Sequence, residues 1–230
     1  MADTFGKKAF KFYNSLKFKH KLPAGVAVMN PYEIPATKRY VKLFFEKFFN
    51  DRRERILAFG INPGRFGAGI TGITFTDPVA LEKFCGIAND LPKRREPSTI
   101  FIYDFIQRWG GPKKFYRDFY LTAVSPLGFR KDGRNYNFYD DPALPLAAKP
   151  FIVKSIEAHF DFGARRDVAI VIGTGKVREF LEKLNSEHKF FKKIYAVEHP
   201  RFIMQYRRRK LPYYLKKYRR TFAQAINNRI

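Results

Sequence analysis

Four short apolar runs, each cut off by proline, glycine or a polar residue, limit the architecture available to this chain. They are ILAFGI (56–61) before Asn62-Pro63-Gly64, FYLTAV (119–124) before Ser125-Pro126, DVAIVIG (167–173) before Thr174-Gly175, and KIYAV (193–197) before Glu198-His199-Pro200. Runs of this length between breakers suit strands buried on both faces of a parallel sheet. Helix-like stretches lie at 36–50, 78–90, 99–109, 145–160 and 176–189. The first carries Tyr40, Val41, Phe44, Phe45, Phe48 and Phe49 in three- and four-residue steps, the period of an amphipathic helix. Strands alternating with helices predict a three-layer α/β/α fold with a short, mostly parallel central sheet. Ligands of such sheets bind beyond the carboxyl ends of the strands, and all of the polar punctuation falls there.

At 230 residues the chain has the length of one domain, and it carries no internal repeat. Its first 30 residues interleave Lys7, Lys8, Lys11, Lys17 and Lys19 with Phe10, Phe12, Tyr13 and Phe18. That segment reads as a helix laid on the domain or as a basic arm. A second basic segment, 201–230, packs on or extends the same domain. Lys and Arg number 45 against 21 Asp and Glu, a formal +24, so a polyanionic partner is expected. Charge alone does not choose among nucleic acid, acidic lipid and polyphosphate.

The single cysteine, Cys85, excludes an intramolecular disulfide framework and a four-thiolate iron–sulfur cluster. His20, His159, His188 and His199 are scattered without metal-ligand spacing. No apolar run reaches membrane-spanning length, and lysines interrupt the N-terminus. The expectation is a soluble cytoplasmic monomer needing no metal or other cofactor.

The segment from Gly60 to Phe75, GINPGRFGAGITGITF, leads from a strand into a glycine-rich loop whose backbone can approach a ligand closely. Gly67, Gly69 and Gly72 match the G-x-G-x-x-G spacing, but they start several residues beyond the strand, and no Lys-Ser/Thr pair follows. A nucleotide-cofactor loop is therefore set aside. Asn62 at the strand edge offers an amide able to hold a water or a carbonyl. His199 falls where the last strand ends, so parallel strands bring Asn62 and His199 to one rim.

GINPG (60–64), TGITF (71–75), SPLGF (125–129) and EHPR (198–201) together resemble the motifs of the uracil-DNA glycosylase superfamily. The resemblance is greatest to the single-strand-selective monofunctional uracil-DNA glycosylases (SMUG), in their divergent bacterial branch. In that family an Asn opens the first motif and a base-stacking Phe follows thirteen residues on. Phe75 stands thirteen after Asn62. GINPG is also similar to the mismatch-specific uracil/thymine glycosylases, but their second motif begins with Asn-Pro, and His199-Pro200 favours SMUG.

The resemblance implies a DNA base-excision repair glycosylase that flips uracil or a related deaminated base, xanthine or hypoxanthine among them, out of DNA. Asn62 would position the attacking water, His199 would stabilise charge developing on the base carbonyl, and Phe75 would stack on the base, in a pocket formed with Gly60, Ile61, Pro63 and Gly64. Such a donor in a dry pocket lowers a barrier by roughly 3–4 kcal/mol. Asn is no strong base, so it orients the water rather than deprotonating it.

Two departures stand out. The middle motif's usual Asn is replaced by Ala123, which leaves Ser125, Asn135 and Asn137 as candidate base readers. The usual Ser-Pro-Arg wedge after His-Pro is replaced by Arg201-Phe-Ile-Met-Gln-Tyr206, so Phe202, Ile203 or Met204 becomes the candidate wedge. Arg65, Arg201, Arg207, Arg208, Arg209 and Lys210 are the candidate DNA contacts, with Tyr206, Tyr213, Tyr214 and Tyr218 interleaved among the tail's basic residues. Two other readings remain: a non-catalytic single-strand-binding protein on a glycosylase scaffold, and a bifunctional glycosylase that also nicks the strand through a lysine.

Overall fold

The computed structural model describes residues 3–228, so the outermost two residues of each terminal segment lie outside it. In chain order the first elements are α1 (Phe5–Ser15), β1 (Val26–Met29), α2 (Pro35–Phe48), β2 (Arg55–Gly60), α3 (Ala68–Thr71) and α4 (Pro78–Lys83). There follow α5 (Pro97–Trp109), α6 (Pro112–Asp118), β3 (Phe119–Ala123), β4 (Gly128–Lys131), β5 (Arg134–Tyr136) and α7 (Leu144–Phe162). The chain continues through β6 (Ala164–Ile172), α8 (Lys176–His188), β7 (Lys193–Val197), α9 (Pro200–Tyr206) and α10 (Leu211–Asn227). The four apolar runs are β2, β3, β6 and β7, and they form one fully parallel sheet in the order β3-β2-β6-β7.

Each face of the sheet is covered by helices, which gives the expected three layers. On one face Tyr120 meets Phe5 of α1 and Phe45 of α2, and Phe59 meets His159 of α7. On the other, Phe119 packs on Phe222 of α10, which in turn touches Phe105 of α5. Side chains of both basic segments enter this core: Phe5, Ala9 and Tyr13 from α1, and Leu215, Tyr218 and Phe222 from α10. The lysines of α1 face outward while its rings face the sheet, the helical alternative of the two readings for this segment.

A buried cation pins the N-terminal helix. Arg55 is fully buried, sandwiched between the rings of Phe5 and Phe49, each 5.1 Å away. Its guanidinium forks onto the Asp51 carboxylate and donates to the carbonyls of Arg53 and Tyr116. A buried charge satisfied on this many sides is tolerable where an unpaired one is not.

The structure departs from the sequence expectation in several places, among them α6, which no expected helical stretch covered. The helix expected over 78–90 ends at Lys83, because Gly86 takes a left-handed φ of 59° and Ile87 turns its N–H back to the Leu81 carbonyl. A second, antiparallel sheet of order β1-β4-β5 was not anticipated. Its hairpin turns at Asp132-Gly133, both at positive φ, the dipeptide that favours a tight two-residue turn. This small sheet carries Asn135 to the rim of the parallel one.

Candidate active site

Beyond Gly60 and Ala123 the chain keeps pairing for two residues: Val124 donates to the Gly60 carbonyl and Ser125 to that of Ile61. This carries Asn62 straight out over the carboxyl edge. At the far side of the sheet Gly173 donates to the Val197 carbonyl, and His199 follows two residues later. Asn62 and His199 thus line one cleft of about 430 Å³, together with Gly60, Ile61, Pro63, Gly64, Phe75, Ala123, Asn135 and Asn137.

Asn62 is oriented by the loop after β5. Its Oδ1 accepts from Phe138 N–H at 3.1 Å, and its amide donates to the carbonyls of Tyr136 and Pro63 at 3.3 and 3.4 Å. One lone pair on Oδ1 remains for a water. The amide cannot swing, because three partners hold it.

His199 is the N-cap of α9, and its Nδ1 accepts from Arg201 N–H at 3.2 Å. A nitrogen that accepts carries no proton, so the neutral ring bears its hydrogen on Nε2. Burial, reinforced by the positive charge of Arg201, lowers the imidazole to about 4. At neutral pH His199 is therefore an uncharged donor. Behind it, Tyr218 donates to the Glu198 carbonyl at 2.5 Å and Lys217 pairs with the Glu198 carboxylate at 2.6 Å, so α10 holds the peptide that leads into His199.

Phe75 forms a wall of the cleft, nearly buried, with its ring centroid 5.8 Å from that of His199. Its backbone has φ 57°, a conformation that is costly for a bulky residue and that persists only when the surroundings impose it. Thr71 supplies part of that imposition: its hydroxyl donates to the Thr76 carbonyl at 2.6 Å and accepts from Ile73 N–H at 3.1 Å.

Several candidates are placed otherwise than the sequence suggested. Ser125 is fully buried, donates to the Leu127 carbonyl at 2.8 Å, and does not line the cleft, so it is corrected as a base reader. Ile203 is fully buried on the core side of α9 and cannot be a wedge. Met204 is partly buried against the core. Phe202 is exposed at the cleft mouth beside Tyr206, with Arg207 over its ring. Asn135 is held at Oδ1 by Arg65 N–H, and Asn137 donates to Asp140. The Arg65 guanidinium donates to the Gly133 carbonyl. Arg201, Arg207, Arg208, Arg209 and Lys210 are exposed, whereas Tyr214 and Tyr218 of the tail are buried and face the core.

Sequence reasoning missed Glu96, Ser98, Tyr139 and Gln205, which also line the cleft. Tyr206 was placed among the tail's rings and not at the cleft mouth. Glu96 sits in a run of basic residues before a helix, and nothing in its spacing sets it apart. Among the described residues no group of three or more His, Cys, Asp or Glu could hold a metal ion, and no helix is long and apolar enough to cross a membrane.

The model of the uracil DNA glycosylase superfamily matches residues 46–223. The crystal structure of wild-type SMUG2 from Pedobacter heparinus superposes with a TM-score of 0.94 at 42% identity, covering 98% of this chain and 99% of that one. A search of curated protein sequences returns no significant match. With the first motif at β2, the second at the start of α9, and a cleft between them, the chain belongs to the uracil DNA glycosylase superfamily and is a DNA glycosylase.

Proposed function

We propose that this glycosylase releases uracil and related deaminated bases from DNA, with Asn62 holding the attacking water and His199 donating from Nε2 to the base carbonyl. The observation that carries the reading is the convergence of Asn62, Phe75 and His199 on one cleft at the carboxyl edge of the sheet. A non-catalytic binding protein has no use for that convergence, since backbone contacts need none of the three. Likeness to SMUG2 of Pedobacter heparinus supports the same reading.

The chemistry follows from the donors. Breaking an N-glycosidic bond builds cationic character on the sugar and negative charge on the leaving base. A neutral imidazole with a single N–H, on a residue that lines the cleft, meets that charge as it forms, without itself having to lose a proton first. The base must leave the helix, at a few kcal/mol, which favours single strands and mispairs. Ala123, in place of a larger polar side chain at the end of β3, leaves the cleft floor open to purines such as xanthine and hypoxanthine as well as to uracil. Phe202 and Tyr206 are the exposed rings placed to fill the gap in the stack. The reading is of a monomer acting without a metal. The residues that line the cleft include no lysine, which weighs against a Schiff-base strand nick.

The test is incubation with labelled oligonucleotides carrying uracil, xanthine, hypoxanthine or 5-hydroxymethyluracil. Strand cleavage that depends on alkali is expected. Asn62→Ala and His199→Ala should each slow release about a hundredfold while DNA affinity holds. Wild-type rates in both variants would move the chemistry out of this cleft.

A further inference from the structure

We propose that Glu96 is the proton acceptor for the attacking water, an inference that rests on the glycosylase reading above. Four observations support it. First, Glu96 is the acidic side chain among the residues that line the cleft with Asn62 and His199. Second, its carboxyl lies over the loop that Asn62 opens. A β-carbon on Gly64 would stand 2.9 Å from Glu96 Oε1, and one on Gly67 would collide with Oε2. Both positions are glycine in this sequence, and both leave that space to the carboxyl.

Third, Glu96 is held in place without its carboxyl being used up. It occupies the N-cap position of α5 yet makes no side-chain capping bond. Its backbone N–H donates to Asp77 Oδ2 at 2.9 Å, while Asp77 Oδ1 caps α4 by accepting from Ala80 N–H at 2.8 Å. No hydrogen bond or ion pair within range fixes the Glu96 oxygens among the described residues. Fourth, the charged groups that act on it are Asp77, the N-cap of α4, and Arg201 on α9, and His199 lines the same cleft. Burial, followed by the negative charge of Asp77 and opposed by Arg201, raises the carboxyl to about 6. A carboxylate of that basicity is suited to taking a proton near neutrality, which the Asn62 amide cannot do.

The step balances. The water oxygen bonds to C1′ of the sugar while the C1′–N bond breaks, and that electron pair leaves on the base, held by His199 Nε2–H. The water's proton passes to Glu96 and then to solvent. The base takes its proton from solvent after it leaves.

Glu96→Gln keeps the shape and removes the charge. Measured under single-turnover conditions on a uracil oligonucleotide, wild-type protein should show a rate that rises through about pH 6 and then levels. The variant should be slower by about a hundredfold at pH 8 and flat through that range. His199, at about 4, does not titrate there. DNA affinity of the variant should be unchanged or tighter, because a negative charge facing the phosphates is gone, so the slower step is not lost binding. Glu96→Ala should recover part of its rate with added formate or azide. Wild-type rate and pH profile in Glu96→Gln, while Asn62→Ala and His199→Ala remain slow, would overturn this inference alone. Absence of base release from wild-type protein on every substrate would instead overturn the glycosylase reading beneath it.

Discussion

The ring of Phe75 occupies the space that a β-carbon on residue 60 would need: that atom would stand 2.9 Å from Cζ and 3.0 Å from Cε2. Gly60→Ala should therefore push the ring out of place. Overpacking of this kind costs about 1–3 kcal/mol, and displacing the stacking wall should slow base release at least tenfold. Comparing denaturant midpoints and release rates checks it. An unchanged rate would show that the position of Phe75 is immaterial to the base.

A second expectation concerns the contact between α10 and the rim that carries His199. Tyr218→Phe removes the hydroxyl that donates to the Glu198 carbonyl. Leaving a buried carbonyl without its partner costs about 1–3 kcal/mol. Because His199 follows that peptide directly, the release rate should fall at temperatures where the variant is still folded. Equal rates for folded variant and wild type would confine Tyr218 to a packing role.

Stability should fall in mild acid. His159 is buried, its Nδ1 donating to the Ser155 carbonyl and its Nε2 accepting from the Thr122 hydroxyl at 2.9 Å. Burial, opposed by the Ser155 contact, lowers it to about 4 from the ordinary 6.5. As pH drops below 6.5 the unfolded chain takes up a proton that the folded chain refuses until about 4. Stability is therefore lost across that window, on the order of 3 kcal/mol for this ring. Urea midpoints at pH 7 and pH 5 read the loss, and His159→Gln should reduce it. A loss between pH 7 and pH 5 as large in His159→Gln as in wild-type protein would refute the assignment.

The tail makes the fourth expectation. Neutralising Arg207, Arg208, Arg209 and Lys210 together should weaken binding to damaged and undamaged DNA about equally, since phosphate contacts carry no lesion information. The log–log salt slope should drop by close to one unit per contact removed. A full slope in that variant would place the DNA track elsewhere, with the outward lysines of α1 as the next surface to test.

The parallel sheet was legible because each strand is apolar throughout and stops on a breaker, a pattern that survives without any tertiary information. Asn62 and His199 could be paired for the same reason: parallel strands deliver their carboxyl ends to one edge. The antiparallel sheet was less legible. Its strands are short and half exposed, as in Arg134–Tyr136, so no apolar run marks them, although Asp132-Gly133 is a hairpin signal that could have been read. Ser125 and Ile203 were misplaced because spacing along a chain does not say which side of a helix or turn faces the ligand. Glu96 was invisible because its role depends on lying over Gly64 and Gly67, about thirty residues away in sequence.

The bond from Arg201 N–H to His199 Nδ1 has a consequence for the departing base. A ring tied down at one nitrogen has one hydrogen to offer and no route to replace it, so it solvates the leaving group without protonating it. On the proposed reading the base departs as an anion, and its own acidity sets the pace. Rates plotted against the acidity of a series of 5-substituted uracils should fall on a steep line, with the electron-poor members leaving fastest.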